Sequence, residues 1–572
     1  MNQLAIIGMG PRGLYALERL IINLGHLDKT LEIYIFEPSN TPGAGTIWNV
    51  DQPDSNWINI TERALIGIKE RPKFEYSNLT IKRFPSYHEW CGFKQSSTKP
   101  DNFPPRNKLG RYLFERFTAL VKDIKHLHHF HIVKEFVQHV EAKDGKIFIQ
   151  THNKNWTCDD VLLTIGHQPT KLSTQIKSWV KHAEKNLNTE VFTEPYPVTQ
   201  LKNYKNKTDI NIGMRGFGLA MIDIMRYLAI NNYGNFKVTN PCTFETVYYK
   251  VNSQNLKLVP FSLDGLPLAP KPLNQKIDNW FLPSNKTLSW FTKKIDAVTQ
   301  SQKSVNNIDL LIEPMAKIVA QIFINLNKKA KNHDLDSTEV EQVILEWLRN
   351  DNFKHALILN TDLSTYKQIE SFIGMALGEA KITLDFCIGQ VWRHCQPRFY
   401  KTFTHAQIDE GILNKVVELD ERIKRYSYGP PIESMQQLLA LVDAEVLTLN
   451  YVHDPKISAI DKGWELKNKK NEIIHCSVLV NSVIDPPKLL DTDSKIIEHL
   501  LENNLIKPIH SELGIETQPD AYIKTAENET IVPIAVLGRL AKGSVIGVDA
   551  ILECFGDTVK DWADNFAKHR VN

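Results

Sequence analysis

At 572 residues the chain is long for one hydrophobic core and suits roughly two to four domains. Lys and Arg (68) nearly balance Asp and Glu (66), so the composition offers no concentrated basic surface for a nucleic acid. The seven cysteines are odd in number, scattered and never spaced as CxxC, which argues against a disulfide framework or zinc cluster. With no signal-like N-terminus and no apolar run of membrane-spanning length, the expected setting is cytoplasmic.

The chain opens on the apolar run Leu4-Ala5-Ile6-Ile7, which reads as a buried parallel strand. It leads into Gly8-Met9-Gly10-Pro11-Arg12-Gly13, after which Leu14, Leu17, Leu20, Ile21 and Leu24 recur at helical spacing up to Gly25. A second strand over 31–36 ends at Glu37, so strand, glycine turn, helix, strand and acidic residue follow in dinucleotide-binding order. Gly8 permits the tight turn, Gly10 admits a pyrophosphate to the backbone, and Gly13 lets helix and strand pack closely. Pro11 and Arg12 open the helix whose free N–H groups face the anion. Glu37 can accept from ribose hydroxyls and disfavours a 2′-phosphate, leaving FAD or NAD. Gly43 and Gly45, soon after, supply the further backbone approach that a longer dinucleotide needs, which favours FAD. Trp48, Asn59 and Arg106 are candidate contacts to cofactor or substrate. His126-Leu127-His128-His129-Phe130-His131 lacks carboxylate or cysteine partners and reads as a turn, not a metal site.

Asp160-Val161-Leu162-Leu163-Thr164-Ile165-Gly166-His167 reads as a strand ending in a glycine turn. Together with residues 9–20, Pro42-Gly43-Ala44-Gly45 and Pro105-Arg106 through Gly110-Arg111-Tyr112-Leu113, it resembles an FAD/NAD(P)-binding flavoprotein family that includes relatives of the amino-acid N-monooxygenases. The resemblance covers about residues 1–230. It departs from the family pattern where Leu163 replaces an alanine and Ile165 separates Thr164 from Gly166. It implies an α/β fold of two Rossmann-like dinucleotide-binding domains with a mainly helical insertion, holding FAD in the first and NADPH or NADH in the second. It also puts Gly166 at the crossing between domains and His167 nearest the flavin ring.

Asp209-Ile210-Asn211-Ile212 opens a second candidate unit with two possible glycine registers. A start at Gly213 puts Arg215 where a pyrophosphate must approach; a start at Gly216 keeps the Gly216-x-Gly218 pair and leaves Arg215 free to meet a phosphate. A domain that packs without binding nicotinamide remains open. The run Thr246-Val247-Tyr248-Tyr249 reads as the following strand, ending at Lys250, which is either an NADP 2′-phosphate contact or a solvated lysine. Residues 260–272 are rich in turn formers and read as an ordered loop near the cofactors. Amphipathic segments then fill about 275–450. Within them, Trp392-Arg393-His394 and Arg398-Phe399-Tyr400 suit either an acidic substrate or helix packing. Residues 473–482 resemble a second domain-crossing strand. Residues 534–539 form a strand running into Gly538, with Gly547 and Asp549 beyond; a helix starting near Gly547 would aim its positive end at the flavin. The expected domains are 1–170 (FAD, first part), 195–275 (nicotinamide), 276–450 (helical insertion or cap) and 451–572 (return strands).

The resemblance implies an NAD(P)H-consuming flavin monooxygenase, with O2 adding to reduced FAD as a C4a-hydroperoxide and one oxygen passing to a small polar substrate such as an amino acid. His167 and Arg106 are its candidate catalytic residues. Two alternatives stand beside it: a flavin reductase or dehydrogenase, and a non-catalytic nucleotide-binding module. The oligomeric state is open.

Overall fold

The computed structural model describes residues 1–230, 233–251, 255–299, 307–331, 335–525 and 532–571. Two parallel sheets organise it. The first runs Ile534–Val536, Asp160–Leu163, Gln3–Ile7, Glu32–Phe36 and Phe130–Val133. Leu4, Ala5 and Ile6 are fully buried because helices and β-meanders cover both sheet faces, so these strands carry no polar face. The helix Pro11–His26 packs against the closing helix Asp557–His569, and both chain ends therefore build this unit.

The second sheet runs Glu190–Phe192, Val478–Asn481, Ile210–Arg215 and Leu256–Phe261, again all parallel. Each sheet receives one core strand from an antiparallel meander. Residues 137–158 feed Asp160–Leu163, and residues 456–476 feed Val478–Asn481. The repetition marks two units of one design, doubly wound α/β in both cases.

Between Leu256–Phe261 and Val478–Asn481 the chain leaves the sheet and builds a bundle, from Asn285–Thr299 to Ile432–Asp443. Leu384–Phe403 lies at its centre, with Phe386, Cys387, Trp392 and Phe399 fully buried, and its core is continuous with that of the second sheet. This continuity explains why every residue from Ala220 to Ala229 is buried: the bundle covers the helix face that a solvent-facing Rossmann helix would expose.

Several elements depart from the sequence reading. Glu245–Lys250 pairs antiparallel with Gly234–Asn240 as a hairpin, and the strand beside Ile210–Arg215 is Leu256–Phe261. Pro260 thus belongs to a strand, which it can do because that strand is the sheet edge and needs no N–H from it. Residues 473–482 split at Ser477 into a meander strand and a core strand. No long helix begins at Gly547; a short 3-10 turn, Ile551–Phe555, intervenes before Asp557–His569. Among the described residues no helix is long and apolar enough to cross a membrane.

Candidate functional site

One cavity, of about 2710 Å³, lies between the two sheets and the bundle, and both glycine turns open on it. In the first turn the glycines have separate duties. A Cβ on Gly8, whose φ is +90°, would sit 2.8 Å from the Thr164 carbonyl oxygen, and one on Gly13 would sit 2.5 Å from the Gly8 oxygen. The fold itself demands those two. Gly10 differs: its φ of −79° suits any residue, and a Cβ there would meet only the Gly45 Cα, at 3.8 Å. No described residue excludes a side chain at Gly10, which lines the cavity at the start of a helix with no side-chain cap. Glycine with a free helix N-terminus and open space in front is a cradle for a phosphate.

The second turn repeats this. Strand Ile210–Arg215 ends at Gly216, with φ +114°, where a Cβ would strike Ser482 Oγ at 2.8 Å. Gly218 caps the helix Leu219–Ala229 with φ −121°, and a Cβ there would find nothing within 4 Å. The register starting at Gly216 is thus the one present.

The remaining sequence-selected residues divide into those on the cavity and those away from it. Glu37 lines it, its carboxylate accepting from Met9 N (2.7 Å) and Ser39 N (2.9 Å), which fixes it at the strand end. Pro11, Arg12, Gly45, Trp48, Asn59, Gly166, His167, Gly547 and Asp549 line it too. Asn59 donates to the Tyr428 carbonyl (3.1 Å), and Arg12 donates to the Val548 carbonyl (3.3 Å) while packing on Gly538. Gly13, Gly43 and Gly538 lie behind the lining; a Cβ on Gly43 would press on the Leu113 carbonyl.

Two expectations need correction, Lys250 and Arg215, and two cavity residues, Asp549 and Arg106, prove to be held by protein partners. Lys250 is exposed at the end of its hairpin, away from the cavity, because that strand never joins the parallel sheet. Arg215 stands opposite Asn481 in the strand register, donates to Asn481 Oδ1 (2.9 Å) and does not line the cavity, so it is not placed to meet a phosphate there. Asp549 is held by Lys424 (2.7 Å), Lys542 (3.0 Å) and Arg539 (3.5 Å); burial opposes its charge, but these cations outweigh it and keep its pKa well below the carboxylate range. Arg106 reaches the cavity, yet its guanidinium is committed to Asp223 Oδ2 (2.6 Å) and stacks over Tyr196 (5.0 Å). Burial works against the Arg106 charge, but Asp223 prevails and raises its pKa.

Asp223 stands on the second glycine helix, so this pair joins the two sheet domains. Tyr196 donates to the same carboxylate (2.6 Å), and buried Arg226 approaches its other oxygen (3.6 Å) while donating to Ser434 Oγ, Gln437 Oε1 and the Ser55 carbonyl. Sequence reasoning missed this clasp, since a lone Asp in a helix carries no signal of its partners. His167 is half-buried, and burial together with Arg539 lowers its pKa to about 4, so its imidazole is neutral at neutral pH. Glu553, also on the cavity, is pushed up to about 7 by burial.

In the aromatic and cationic segment at 392–400 the packing role is the one with visible contacts. Trp392 and Tyr400 donate to Asp420 inside the bundle (2.8 Å each), whereas Arg393 faces the cavity, paired with Asp278. Asp278 also accepts from Arg63 (3.0 Å) and His394 (3.1 Å). Beside this group stands Lys271, from the proline-rich loop, whose role no sequence pattern announced. Among the described residues no group of three or more His, Cys, Asp or Glu is placed to hold a metal ion.

Two parallel sheets, each ending in a glycine turn on a shared cavity, define a two-dinucleotide α/β protein. Residues 5–168 match the model of a family described as FAD-NAD(P)-binding. Over 577 aligned residues the chain is 23% identical to a nitrosuccinic acid synthase of Aspergillus oryzae, covering 90% of this chain and 83% of that protein. It is also 23% identical to an L-aspartate N-monooxygenase (nitrosuccinate-forming) of Streptomyces davaonensis, over 48% of this chain and 45% of the relative. Among solved structures, L-lysine 6-monooxygenase from Pseudomonas syringae aligns over 99% of this chain and 98% of its own, at 11% identity and a TM-score of 0.42, too loose a likeness to bear on function.

Proposed function

We propose that this protein is an FAD-dependent, NAD(P)H-consuming monooxygenase that transfers one oxygen atom of O2 to the nitrogen of a small amino acid carrying a second carboxylate. The observation that carries the reading is the pair Gly10 and Gly218: two helix N-termini open on one cavity, each glycine unexplained by backbone angle or protein neighbour. Two dinucleotides facing a common space suit hydride transfer between them. The amino-acid substrate is supported by the two relatives, whose names specify nitrosuccinate formation and aspartate N-oxygenation.

Bound FAD would supply the redox and oxygen chemistry; the chain's own residues supply placement and environment. The helix starting at Pro11 would hold the pyrophosphate of FAD, and Glu37 its ribose. Trp48, Asn59 and the 547–549 segment would flank the far end of the cofactor. The helix starting at Leu219 would hold the nicotinamide pyrophosphate. Neutral His167 can donate or accept one hydrogen bond without adding a charge beside the flavin. The bundle roofs the cavity, and bound cofactors filling it would displace water from the reacting centre. Seven free cysteines suit a reducing, cytoplasmic setting.

The test is the visible spectrum of the purified protein, followed by NADPH oxidation with and without L-aspartate and mass spectrometry of the product. The expected result is a yellow protein whose NADPH oxidation rises with aspartate and yields an N-oxygenated acid. A protein that takes up no FAD, or whose aspartate product gains no oxygen, refutes the reading.

A further inference from the structure

The cavity is lined by many cations, and most are already neutralised. Arg63 is paired with Asp101 and Asp278, Arg393 with Asp278, Arg106 with Asp223, and Lys424 with Glu421 and Asp549. Among the described residues three cavity-lining cations have no carboxylate at ion-pair distance: Arg12, Lys331 and Lys271. Arg12 belongs to the first glycine turn, and half-buried Lys331 donates to the Ile358 carbonyl (3.4 Å). Lys271 is the one withdrawn from water, at 8% exposure. Its ammonium reaches only the Gly429 carbonyl (3.3 Å) and the face of Tyr428 (5.8 Å).

An ammonium with three donors, one long contact and no anion is costly to bury, and such groups persist where a ligand completes them. Its position is fixed on both sides: Lys271 N donates to the Pro430 carbonyl (3.1 Å), and prolines flank it in sequence. The Tyr428 backbone that adjoins it also receives Asn59, from the first sheet domain. Lys271 therefore stands where bundle, loop and first domain meet on the cavity.

We propose that the Lys271 ammonium is the specificity-determining anchor of the substrate site, binding a carboxylate of the amino-acid substrate; this rests on the monooxygenase reading above. The charged and titratable groups facing it are Arg393, Asp278 and Tyr428. Burial, then Arg393, lower its pKa to about 7, against Asp278. At pH 8 roughly a tenth of empty sites then carry the charge, and a carboxylate that binds the ammonium must draw a proton from solvent.

The experiment is isothermal titration of the FAD-loaded protein with succinate and with L-aspartate at pH 8, in buffers of differing ionisation heat. Wild type takes up close to one proton per site, and its affinity for succinate weakens about tenfold per pH unit above 7. Lys271→Gln loses about 10- to 100-fold in affinity for aspartate and takes up correspondingly fewer protons. L-Asparagine and β-alanine, each lacking one carboxylate, tell which one is held: the analogue missing it shows no further loss in the variant. Should Lys271→Gln not fold, the wild-type pH dependence decides alone, and a flat profile between pH 7 and 9 overturns the inference. Equal affinity in variant and wild type overturns it as well. Wild type that binds neither acid refutes the substrate reading itself, whatever Lys271 does.

Discussion

Replacing Gly10 by Ala separates what the fold needs from what the ligand needs. The residue has φ −79° and ψ −170°, so Ala introduces no backbone strain, and its methyl would lie 3.8 Å from Gly45 Cα, an ordinary contact. As an N-cap, Ala costs up to about 1 kcal/mol relative to Gly. Restricting the unfolded chain returns about 0.4–1 kcal/mol. The net change is within about 1 kcal/mol, or about 2–4 °C in Tm for a domain of this size. The ligand meets a different situation, because the methyl occupies the space through which phosphate oxygens reach the first free N–H groups. Each charged hydrogen bond lost there weakens binding by about 1.5–3 kcal/mol, so two correspond to at least about 100-fold in Kd. Thermal melts of the apoproteins by circular dichroism should coincide within about 4 °C, while flavin fluorescence titration should show FAD affinity reduced at least about 100-fold. A Gly10→Ala protein that binds FAD as wild type does would refute the claim that this glycine is reserved for a ligand. One that melts far below wild type would show that protein contacts fix it after all.

Gly218→Ala is the matching test at the second turn: the protein should keep its FAD while KM for NADPH rises at least about tenfold, read from initial rates at saturating aspartate. Asp223→Ala leaves the buried guanidinium groups of Arg106 and Arg226 without their shared anion and should cost about 3–5 kcal/mol, seen as an earlier urea transition, whereas Asp223→Asn keeps an acceptor and should lose less. For Asp278 burial opposes ionisation, but Arg393 and His394 hold its pKa far below the usual value. A depressed folded-state pKa gives stability that is present above the unfolded value near 3.9 and lost as pH falls below it. Asp278→Asn should therefore be less stable than wild type at pH 7, with the difference narrowing below about pH 4, measured as urea midpoints across pH.

The first unit was legible because its signals are local. Strand, Gly8-x-Gly10-x-x-Gly13, helix and Glu37 sit within forty residues, and each duty of a glycine there depends on neighbours close in sequence or on the paired strand. The second was half legible. Gly216 and Gly218 stand where their spacing suggests, but the next strand was misplaced at 246–250, since a hairpin and a core strand share the same β-branched and aromatic preferences. Pro260 disguised the true strand because proline is disfavoured in all but edge strands, and edge position is a property of the sheet, not of the segment. The site's charges were the least legible. Arg106, Arg215 and Asp549 were read as ligand contacts from type and position, and each proved to have a protein partner distant in sequence: Asp223, Asn481, and the cations Lys424, Lys542 and Arg539. Lys271 shows the converse, as its distinction is the partner it lacks.

Those distant partners bear on why the two turns share a cavity at all. Gly10 and Gly218 belong to sheets whose strands pack in separate hydrophobic clusters. A polar clasp joins them: Arg106 from the first domain, and Asp223, Tyr196 and Arg226 from the second, with Arg226 also donating to the Ser55 carbonyl of the first. An apolar contact tolerates sliding, but a carboxylate shared by two guanidinium groups and a phenol is satisfied in few orientations. Asp223 stands four residues beyond the first residue of the Leu219–Ala229 helix, so the geometry that satisfies it also sets where Gly218 faces. The buried charges of the clasp thus act through position: they set how Gly218 faces Gly10, and Arg106 lines the cavity while holding Asp223.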